Sequence, residues 1–468
     1  MPAKAYPFPE WLPDQSGQGL SVAKNVFATA TGYAPVKGPQ AVTAALPGTF
    51  TGGGAFIASD GTTRLVAGTS AGLFIYDGGV WQSESGAAGS RWRLSQFGDY
   101  VMIANGAALL GFNIIDPTMS GAATGAPTNC KDVASVRDFV MVLTDDDQIV
   151  WSAFNNLNEW TPGVNQSDAQ PSLWGRVRRL IGGEYGVLIT DTAIVRLTYI
   201  GVEGGLDIIW QFDQISAEIG CMADGSVCNV GRLIFFLSER GFMMCDGSEV
   251  IPIADEKFNR WFFSRFSRDD IANIWSAIDP RNSLVLWGMP GTPGTIIAYN
   301  WVLKKATTFE TDLTGLMSGY TLGTALDDLD AIYGDLDSIP VSLDSPAFQG
   351  GNPLLLIAGG DNALYALTGD NLQATVQLDN VEPTPGRRSR IRGARLVTDA
   401  VDASVTIDAR MRAGDNESIR SASTMRSNGK LPIRSNGRYN NIAATIPAGA
   451  TWSYLDGVEL EFEPGDGR

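Results

Sequence analysis

The chain has 468 residues, a formal net charge of −17 and 54 glycines, and only 18% of its residues are charged. A length well above roughly 200 residues predicts at least two structural units with a sizeable core. Histidine is absent, which excludes the commonest general base near neutral pH and the commonest metal ligand. The negative charge also argues against nonspecific binding to nucleic acid, because that binding depends on Lys and Arg.

The apolar runs and the cysteines indicate the cellular compartment in which the protein is made. No apolar run reaches the roughly 18 residues of a membrane span, and the first residues lack the basic-then-apolar layout of a signal peptide. We therefore expect a soluble protein made in the cytoplasm. The four cysteines lack a C-x-x-C spacing, so buried thiols are a better interpretation than disulfides or a zinc site.

Residues 1–45 are rich in Pro and Gly and contain few apolar runs. Such a composition predicts an N-terminal arm that leads into the first repeat of the next region.

From about residue 46 to residue 370, short apolar strands alternate with Gly, Asp and Asn turns. In the first unit the strands fall at 54–58, 63–67 and 72–76, and similar units return at intervals of roughly 40–50 residues, which is the range of propeller blades. The pattern predicts an all-β fold, a β-propeller of six or seven blades over 46–370. One or two large β-sandwiches are the alternative fold. They would use the same turn residues but would not repeat at a regular interval of roughly 40–50 residues.

The clearest unit contains the run DQIVWSAFNNLNEWTP at 147–162. Ile149 and Trp151 fall on one face of a strand, and the Asn-rich turn suits left-handed or Asx conformations. Trp160 can pack back over the strand, and Pro162 ends the pairing because it has no amide donor. Among the other units, the two tryptophans are better interpreted as blade packing than as a binding platform.

Two segments depart from the strand pattern. Residues 255–263 have a helical apolar stripe with acids in the first turn. Residues 312–350 predict an acidic insertion near the end of the propeller, in which LDDLDAIYGDLDSIPVSLDSPAF covers 326–348.

After residue 370 the composition shifts to Arg, Ser, Thr and Asn with short β-rich pieces. We expect 371–468 to form a C-terminal β-sandwich-like assembly domain. Between Arg387 and Arg438 the chain has twelve Lys or Arg residues against five Asp or Glu residues, a basic stretch on an acidic protein. Arg is favoured at protein interfaces, so these arginines are predicted to meet acidic surfaces of neighbouring subunits. Contact with DNA phosphates is the competing interpretation.

Carboxylate pairs are the one catalytic option left to a chain without histidine. Asp145 to Asp147 and the acidic residues at 327–337 could supply a glycosidase pair or a calcium site, yet adjacent carboxylates on turns are usually solvated, and Asp145 to Asp147 lack the Gly and distal Glu of an EF-hand loop. A low-affinity cation in the 327–337 loop would be the best such candidate. No nucleophile has a base beside it in a known pattern, so we predict no enzyme, no catalytic residue, no cofactor and no metal site.

The "WSa", turn, "W-x-P" pattern of 147–162 resembles a strand motif of tail nozzle (tail hub) proteins of short-tailed bacteriophages, the group that includes packaged-DNA stabilisation proteins. The segment 326–348 is similar to a "wddld..yg.ld.ip" segment of phage virion proteins near the tail axis. The closing runs at 434–441 and 452–462 resemble the last strands of nozzle proteins. The resemblance covers most of the chain in pattern, through motifs that are individually short.

The resemblance implies a structural virion protein in the phage tail. Such a subunit would form a ring, expected to be a hexamer, that retains the packaged double-stranded DNA. The ring would open to eject the DNA and would not recognise the DNA sequence. Its neighbours would be tail adaptor and portal-proximal proteins and tail fibre or spike proteins. The candidate subunit-interface residues are Arg387, Arg388, Arg390 and Arg392, and the gate or plug residues stay unassigned.

Two other functions stay open at this point. A tail-associated glycan-binding or glycan-cleaving receptor protein is one, because propellers can hold sugars between Trp and carboxylates, and the chain has 12 tryptophans. A cellular propeller scaffold is the other, although the chain lacks the blade signatures of the common repeat families.

Overall fold

The computed structural model describes residues 3–77, 79–85, 91–117, 119–201, 209–321, 351–413, 415 and 419–465. Those residues form an all-β molecule with two short helices, as the sequence predicts. None of the helices in these ranges is long and apolar enough to cross a membrane.

The N-terminal segment contributes strands to three different sheets. Its strands are β1 (Ala3–Pro7), β2 (Leu20–Lys24), β3 (Val26–Ala28), β4 (Tyr33–Pro35) and β5 (Lys37–Ala41).

Five consecutive four-stranded antiparallel sheets follow, each built from neighbouring strands joined by turns. Their strands are β6 (Phe50–Ile57), β7 (Thr63–Thr69), β8 (Gly72–Asp77), β9 (Val80–Ser85); β10 (Arg93–Phe97), β11 (Tyr100–Ala104), β12 (Leu110–Asn113), β13 (Met119–Ala122); β14 (Cys130–Val136), β15 (Phe139–Thr144), β16 (Gln148–Trp151), β17 (Asp168–Pro171); β18 (Val177–Ile181), β19 (Gly186–Thr190), β20 (Ile194–Tyr199), β21 (Trp210–Ser216); and β22 (Cys228–Val230), β23 (Leu233–Ser238), β24 (Gly241–Cys245), β25 (Val250–Pro252).

The next four strands open a nine-stranded sheet, and three more form a blade that β5 completes. They are β26 (Trp275–Asp279), β27 (Leu284–Met289), β28 (Gly291–Asn300), β29 (Lys305–Leu313), β30 (Gly315–Tyr320), β31 (Pro353–Ala358) and β32 (Leu364–Asn371).

The first strands of these sheets lie side by side in a closed ring. Strand β6 contacts β10 and β30, β14 contacts β10 and β18, and β26 contacts β22 and β30. A shared apolar cluster joins the sheet of β18–β21 to that of β22–β25. Six separate four-stranded sheets therefore surround a channel as blades. The strands β26–β29, which belong to the nine-stranded sheet, lie between the blade of β22–β25 and the blade of β30–β32 and β5. The predicted propeller of six or seven blades is confirmed.

The blades hold together because their second strands are apolar on both faces. Every residue of β15, with the sequence FVMVLT, is buried, as expected for a strand packed between two neighbouring sheets.

The C-terminal region forms two packed sheets around one core, the β-sandwich-like part of the predicted fold. Its strands are β33 (Ala374–Val381), β34 (Ser389–Thr398), β35 (Ser404–Arg410), β36 (Ile419–Thr424), β37 (Lys430–Leu431), β38 (Ser435–Gly437), β39 (Tyr439–Ile446) and β40 (Leu455–Pro464). Side chains of β39 alternate between half-buried and buried, and its buried Ile442 shares a core with Leu460 of the facing sheet.

Propeller and sandwich share one sheet, with strand order β26-β27-β28-β29-β2-β33-β39-β35-β36. Strand β2 lies between β29 of the propeller and β33 of the sandwich. The other sandwich sheet has the order β3-β4-β40-β34-β37, with β1 paired to β40 and β38 to β34. The N-terminal segment thus connects both units, and β5 closes the last blade against β32.

Two helices lie between the fifth blade and β26. Helix α1 (Asn259–Arg265) begins four residues after the start of the predicted helical stripe. Helix α2 (Arg268–Ala272) follows, and its N-terminus has a capping box between Ser267 and Asp270. Within the predicted acidic insertion, residues 315–320 form β30, and 322–350, including the 327–337 loop, lie outside the described residues.

Candidate functional site

Five charged side chains from four neighbouring blades meet near one mouth of the propeller channel, and we call them the channel cluster. Arg93 begins β10 and Arg91 lies two residues before it, Asp132 lies on β14 and Arg179 lies on β18. Asp224 begins a single 3-10 turn ahead of β22. Because the first strands of successive blades line the channel, these residues converge although the chain separates them widely.

The two carboxylates of the cluster are both paired with arginine. Arg93 Nη2 donates to Asp224 Oδ2 over 3.2 Å, and Arg91 Nη1 lies 3.9 Å from Asp224 Oδ1. Arg179 Nε lies 3.2 Å from Asp132 Oδ2, and the same oxygen accepts a 2.8 Å bond from the Leu180 amide. Asp132 Oδ1 and Arg179 Nη1 are buried without a hydrogen-bond partner among the described residues.

Burial and the neighbouring positive charges lower the pKa of Arg91 and of Arg93. Burial, with the nearby charges of Arg179 and Arg91, lowers the pKa of Arg93 to about 9. For Asp224, burial acts to raise the pKa, but the charges of Arg93, Arg91 and Arg179 outweigh it, so the pKa of this carboxyl lies below its usual value. Asp224 is therefore ionised near neutral pH.

Arg91 is held rigidly at the mouth. Its guanidinium stacks 4.5 Å from the ring centroid of Trp275, and Nη2 donates to the Ile274 carbonyl over 2.8 Å. A Cβ atom at Gly225 would lie 2.0 Å from that carbonyl oxygen and 2.3 Å from Arg91 Nη2, so this close approach requires glycine. The Phe50 ring also packs against Trp275, 5.4 Å between centroids, so this indole is committed to packing.

A cavity of about 670 Å³ opens beside Arg91. Its wall combines hydroxyl, amide and charged groups with a few apolar side chains: Thr49, Thr51, Arg91, Phe266, Asp270, Asn273, Trp275, Met289, Pro290 and Thr314. The Asp270 carboxylate is already engaged, since its Oδ2 accepts from the amide and hydroxyl of Ser267.

This arrangement favours binding over acid–base catalysis. Carboxylate-based hydrolysis needs one carboxyl with a raised pKa that can donate a proton, whereas Asp224 has a lowered pKa and Asp132 is paired with Arg179. Within the described ranges, no group of three or more Cys, Asp or Glu residues is placed to hold a metal ion.

The predicted interface arginines lie elsewhere, on and before β34 of the sandwich. Arg390 and Arg392 are on its exposed face; Arg390 lies opposite Glu463 on β40, and Arg392 Nη2 donates to Glu463 Oε2 over 2.8 Å. Arg387 is exposed in the preceding turn, and Arg388 is half-buried, with no partner for Nε among the described residues.

An acidic stripe on β40 therefore accompanies the basic stripe on β34. Arg395 lies opposite Glu459, and Lys430 Nζ donates to Glu461 Oε2 over 2.5 Å. The positive charge counted along the sequence is offset in the fold by glutamates that come later in the chain.

Both tryptophans of the 147–162 run are buried, each 5% exposed. Trp151 Nε1 donates to the Gln166 carbonyl, and Trp160 Nε1 donates to the Leu157 carbonyl, each over 2.9 Å. Asn155 has φ 49°, a left-handed conformation that the Asn-rich turn favours. These indoles pack the blade and form no exposed platform.

Sequence reasoning missed the channel cluster. The visible signal was the run Arg91-Trp92-Arg93 at the entry to an inner strand, because charged residues there need partners once buried. The partners on other blades could not be paired from spacing alone.

Comparison with known proteins adds little beyond the fold. No family model matches the sequence, and no curated protein matches it. Among solved structures, the chain is similar to the WD40 repeats of RRP9, with 10% identity and a TM-score of 0.39 over 61% of this chain and 88% of that chain. It is also similar to the extracellular domain of the hybrid two component system BT4673 from B. thetaiotaomicron, with 10% identity and a TM-score of 0.44 over 82% of this chain and 47% of that chain. The match thus spans less than half of the BT4673 domain, and at these identities it concerns the fold alone.

Proposed function

We propose that this chain is a structural subunit of a phage tail nozzle, which assembles into a ring, retains packaged DNA and opens for ejection. The residue pattern of 147–162 and of the closing strands supports this proposal through its resemblance to nozzle proteins. An all-β propeller with a β-sandwich is compatible with it.

The observation that carries the proposal is the sheet shared by the propeller and the sandwich. Because β2 pairs with both β29 and β33, and one apolar core includes Trp287 of the propeller and Ile442 of the sandwich, the subunit is a single stiff body. A wall around pressurised DNA needs such stiffness, whereas a receptor-binding module linked by a hinge does not.

The charge of the chain suits the same role. A net charge of −17 gives a surface to which duplex phosphates adhere weakly, so DNA would slide rather than stick. Adaptor proteins on one side of the ring and fibre or spike proteins around it are the neighbours that this role requires.

The paired stripes on β34 and β40 are our candidate for the contact between subunits. One stripe is basic, with Arg390, Arg392 and Arg395, and the other is acidic, with Glu459, Glu461 and Glu463. Complementary charge would set the register of neighbouring subunits more than it would add affinity.

Electron microscopy and light scattering of the purified protein test the proposal. We expect rings with a central opening, and Arg387→Glu together with Arg390→Glu should shift the population towards monomers. Arg281→Glu, at an exposed arginine of the propeller, is the matched control and should leave rings intact. A wild-type protein that stays monomeric at high concentration would exclude the nozzle role, and rings in the double variant would exclude only this contact surface.

A further inference from the structure

Among the described residues, the channel cluster has an excess of positive charge. Three guanidinium groups face two carboxylates, and all five side chains are substantially buried. The charges of Arg91 and Arg179 also disfavour the charged form of Arg93, since both act to lower its pKa. A buried excess of positive charge is costly unless an anion accompanies it.

The cavity at the mouth gives an anion access to this charge. Arg91 lines it, and although its Nη2 donates to the Ile274 carbonyl, the weak 3.9 Å approach of Nη1 to Asp224 leaves Nη1 able to take a stronger partner. Thr51 lines the same cavity, and its Oγ1 has no hydrogen-bond partner among the described residues.

We infer that the mouth cavity of the propeller channel binds a phosphate group, with Arg91 as its direct cation and Arg93 and Arg179 as the charges behind it. A guanidinium fork matches the geometry of phosphate oxygens, and such charge-assisted bonds are the strong ones. Trp275 fixes the plane of the Arg91 fork before the ligand arrives, so little side-chain entropy is lost on binding. This phosphate site does not depend on whether the subunits assemble into a nozzle ring.

The size of the cavity sets the class of ligand. A volume of about 670 Å³ lies within the roughly 300–1,000 Å³ of small-molecule sites, which leaves room for the organic part of a phosphate monoester as well as for free phosphate. Among the described residues, the one carboxylate in the wall is Asp270, whose Oδ2 accepts the capping bonds from Ser267.

Isothermal titration calorimetry with inorganic phosphate, AMP and adenosine tests the site. We expect saturable binding of phosphate, AMP or both, and no binding of adenosine. Comparable affinities for phosphate and AMP would show that the site recognises the phosphate group alone. Much tighter binding of AMP would show that the ligand is a phosphate monoester. Adenosine binding as well as AMP would overturn the inference, as would the absence of any phosphate or AMP binding.

Two variants with opposite expected effects separate the charge argument from a folding defect. Arg91→Gln should weaken binding by about tenfold or more, because it removes a charge-assisted hydrogen bond. Asp224→Asn should strengthen binding, because it enlarges the positive excess. Thermal unfolding of each variant checks that it is folded.

Arg137→Gln is the matched control at the other mouth. Arg137 stacks 4.7 Å from the Tyr199 ring centroid and lines a separate cavity of about 510 Å³, but its one ion pair within the described part of the chain is with Asp138. Unchanged affinity in Arg137→Gln is expected. Equal affinity of wild type and folded Arg91→Gln, or weaker binding in folded Asp224→Asn, would overturn the inference.

Discussion

The indole of Trp92 fills the space that a side chain at Gly68 would need. A Cβ atom at Gly68 would lie 2.1 Å from Trp92 Cγ, and Trp92 Nε1 donates to the Thr69 carbonyl over 3.1 Å in the buried interior. This contact is one of several between the blade of β6–β9 and the blade of β10–β13, and it requires that residue 68 has no side chain.

Gly68→Ala should therefore destabilise the protein by about 1–3 kcal/mol through overpacking. Urea unfolding measures the loss. Trp92→Phe supplies the control, because the smaller ring should make the added methyl group less costly and give a favourable coupling energy in the double variant. Additive losses would show that the two residues do not share this space.

Asp132→Asn should cost about 3–5 kcal/mol of unfolding free energy, because it leaves the largely buried Arg179 without its carboxylate. The matched change is Asp138→Asn, whose carboxylate pairs with Arg137 at the surface and should cost no more than about 1 kcal/mol. Chemical denaturation of both variants provides the comparison, and equal losses would contradict the assigned burial of the Asp132 pair.

The stability supplied by Asp224 should depend on pH in the acid range. A carboxyl whose pKa is lower in the folded state stabilises the fold above its unfolded pKa, about 3.9 for Asp, and loses that contribution as the pH falls through the folded value. The free-energy difference between wild type and Asp224→Asn should be largest near pH 7 and shrink below about pH 4. Asp145→Asn, at an exposed position, is the control and should change the unfolding free energy little near pH 7. A gap for Asp224→Asn that widens in acid would refute the assignment.

Removal of residues 1–41 should abolish cooperative folding. The truncation strips β5 from the last blade and takes β2 out of the shared sheet, including Leu20, which is fully buried. Removal of residues 1–7 deletes only β1 and should leave a cooperative transition. Calorimetry and size-exclusion chromatography distinguish the two, and Leu20→Ala alone should cost about 2–5 kcal/mol. A cooperative, monodisperse protein without residues 1–41 would contradict the role of these strands.

The thiols should be unreactive in the native protein. Burial raises the pKa of Cys130 and of Cys228 to about 12 and that of Cys221 to about 11, and the thiolate is the reactive form. Titration with a thiol reagent at mild alkaline pH should give slow modification of the native protein and rapid reaction of four thiols in denaturant. Fast native labelling of these three cysteines would contradict their raised pKa values.

Much of the fold could be predicted because blade strands are short, local and bounded by turn residues. Phe139 to Leu143 is an apolar run that only a doubly packed strand tolerates, and Asn155 marks a left-handed turn position. The shared sheet was less accessible. Residues 1–45 predict an arm, but nothing local in Leu20 to Lys24 indicates that this segment pairs with β29 and β33, because strand partners distant in sequence leave no periodic signal.

The basic stretch shows the same limit for a candidate site. Arg390 and Arg395 alternate outward on β34, which the sequence pattern permits, but their partners Glu463 and Glu459 become neighbours only through the register of β34 with β40. A count of charges along the sequence cannot show which arginines are paired with glutamates in the folded protein.

The sequence by itself determined that this protein is all-β and repeated, because hydrophobic alternation and turn chemistry act over a few residues. It also determined that any catalysis would have to do without histidine. Only the tertiary structure decided where the charges meet: Arg91, Arg93, Asp132, Arg179 and Asp224 share a channel mouth because successive blades present their first strands to one axis. Such convergence depends on the closure of the ring, a property of the whole chain that no single segment encodes.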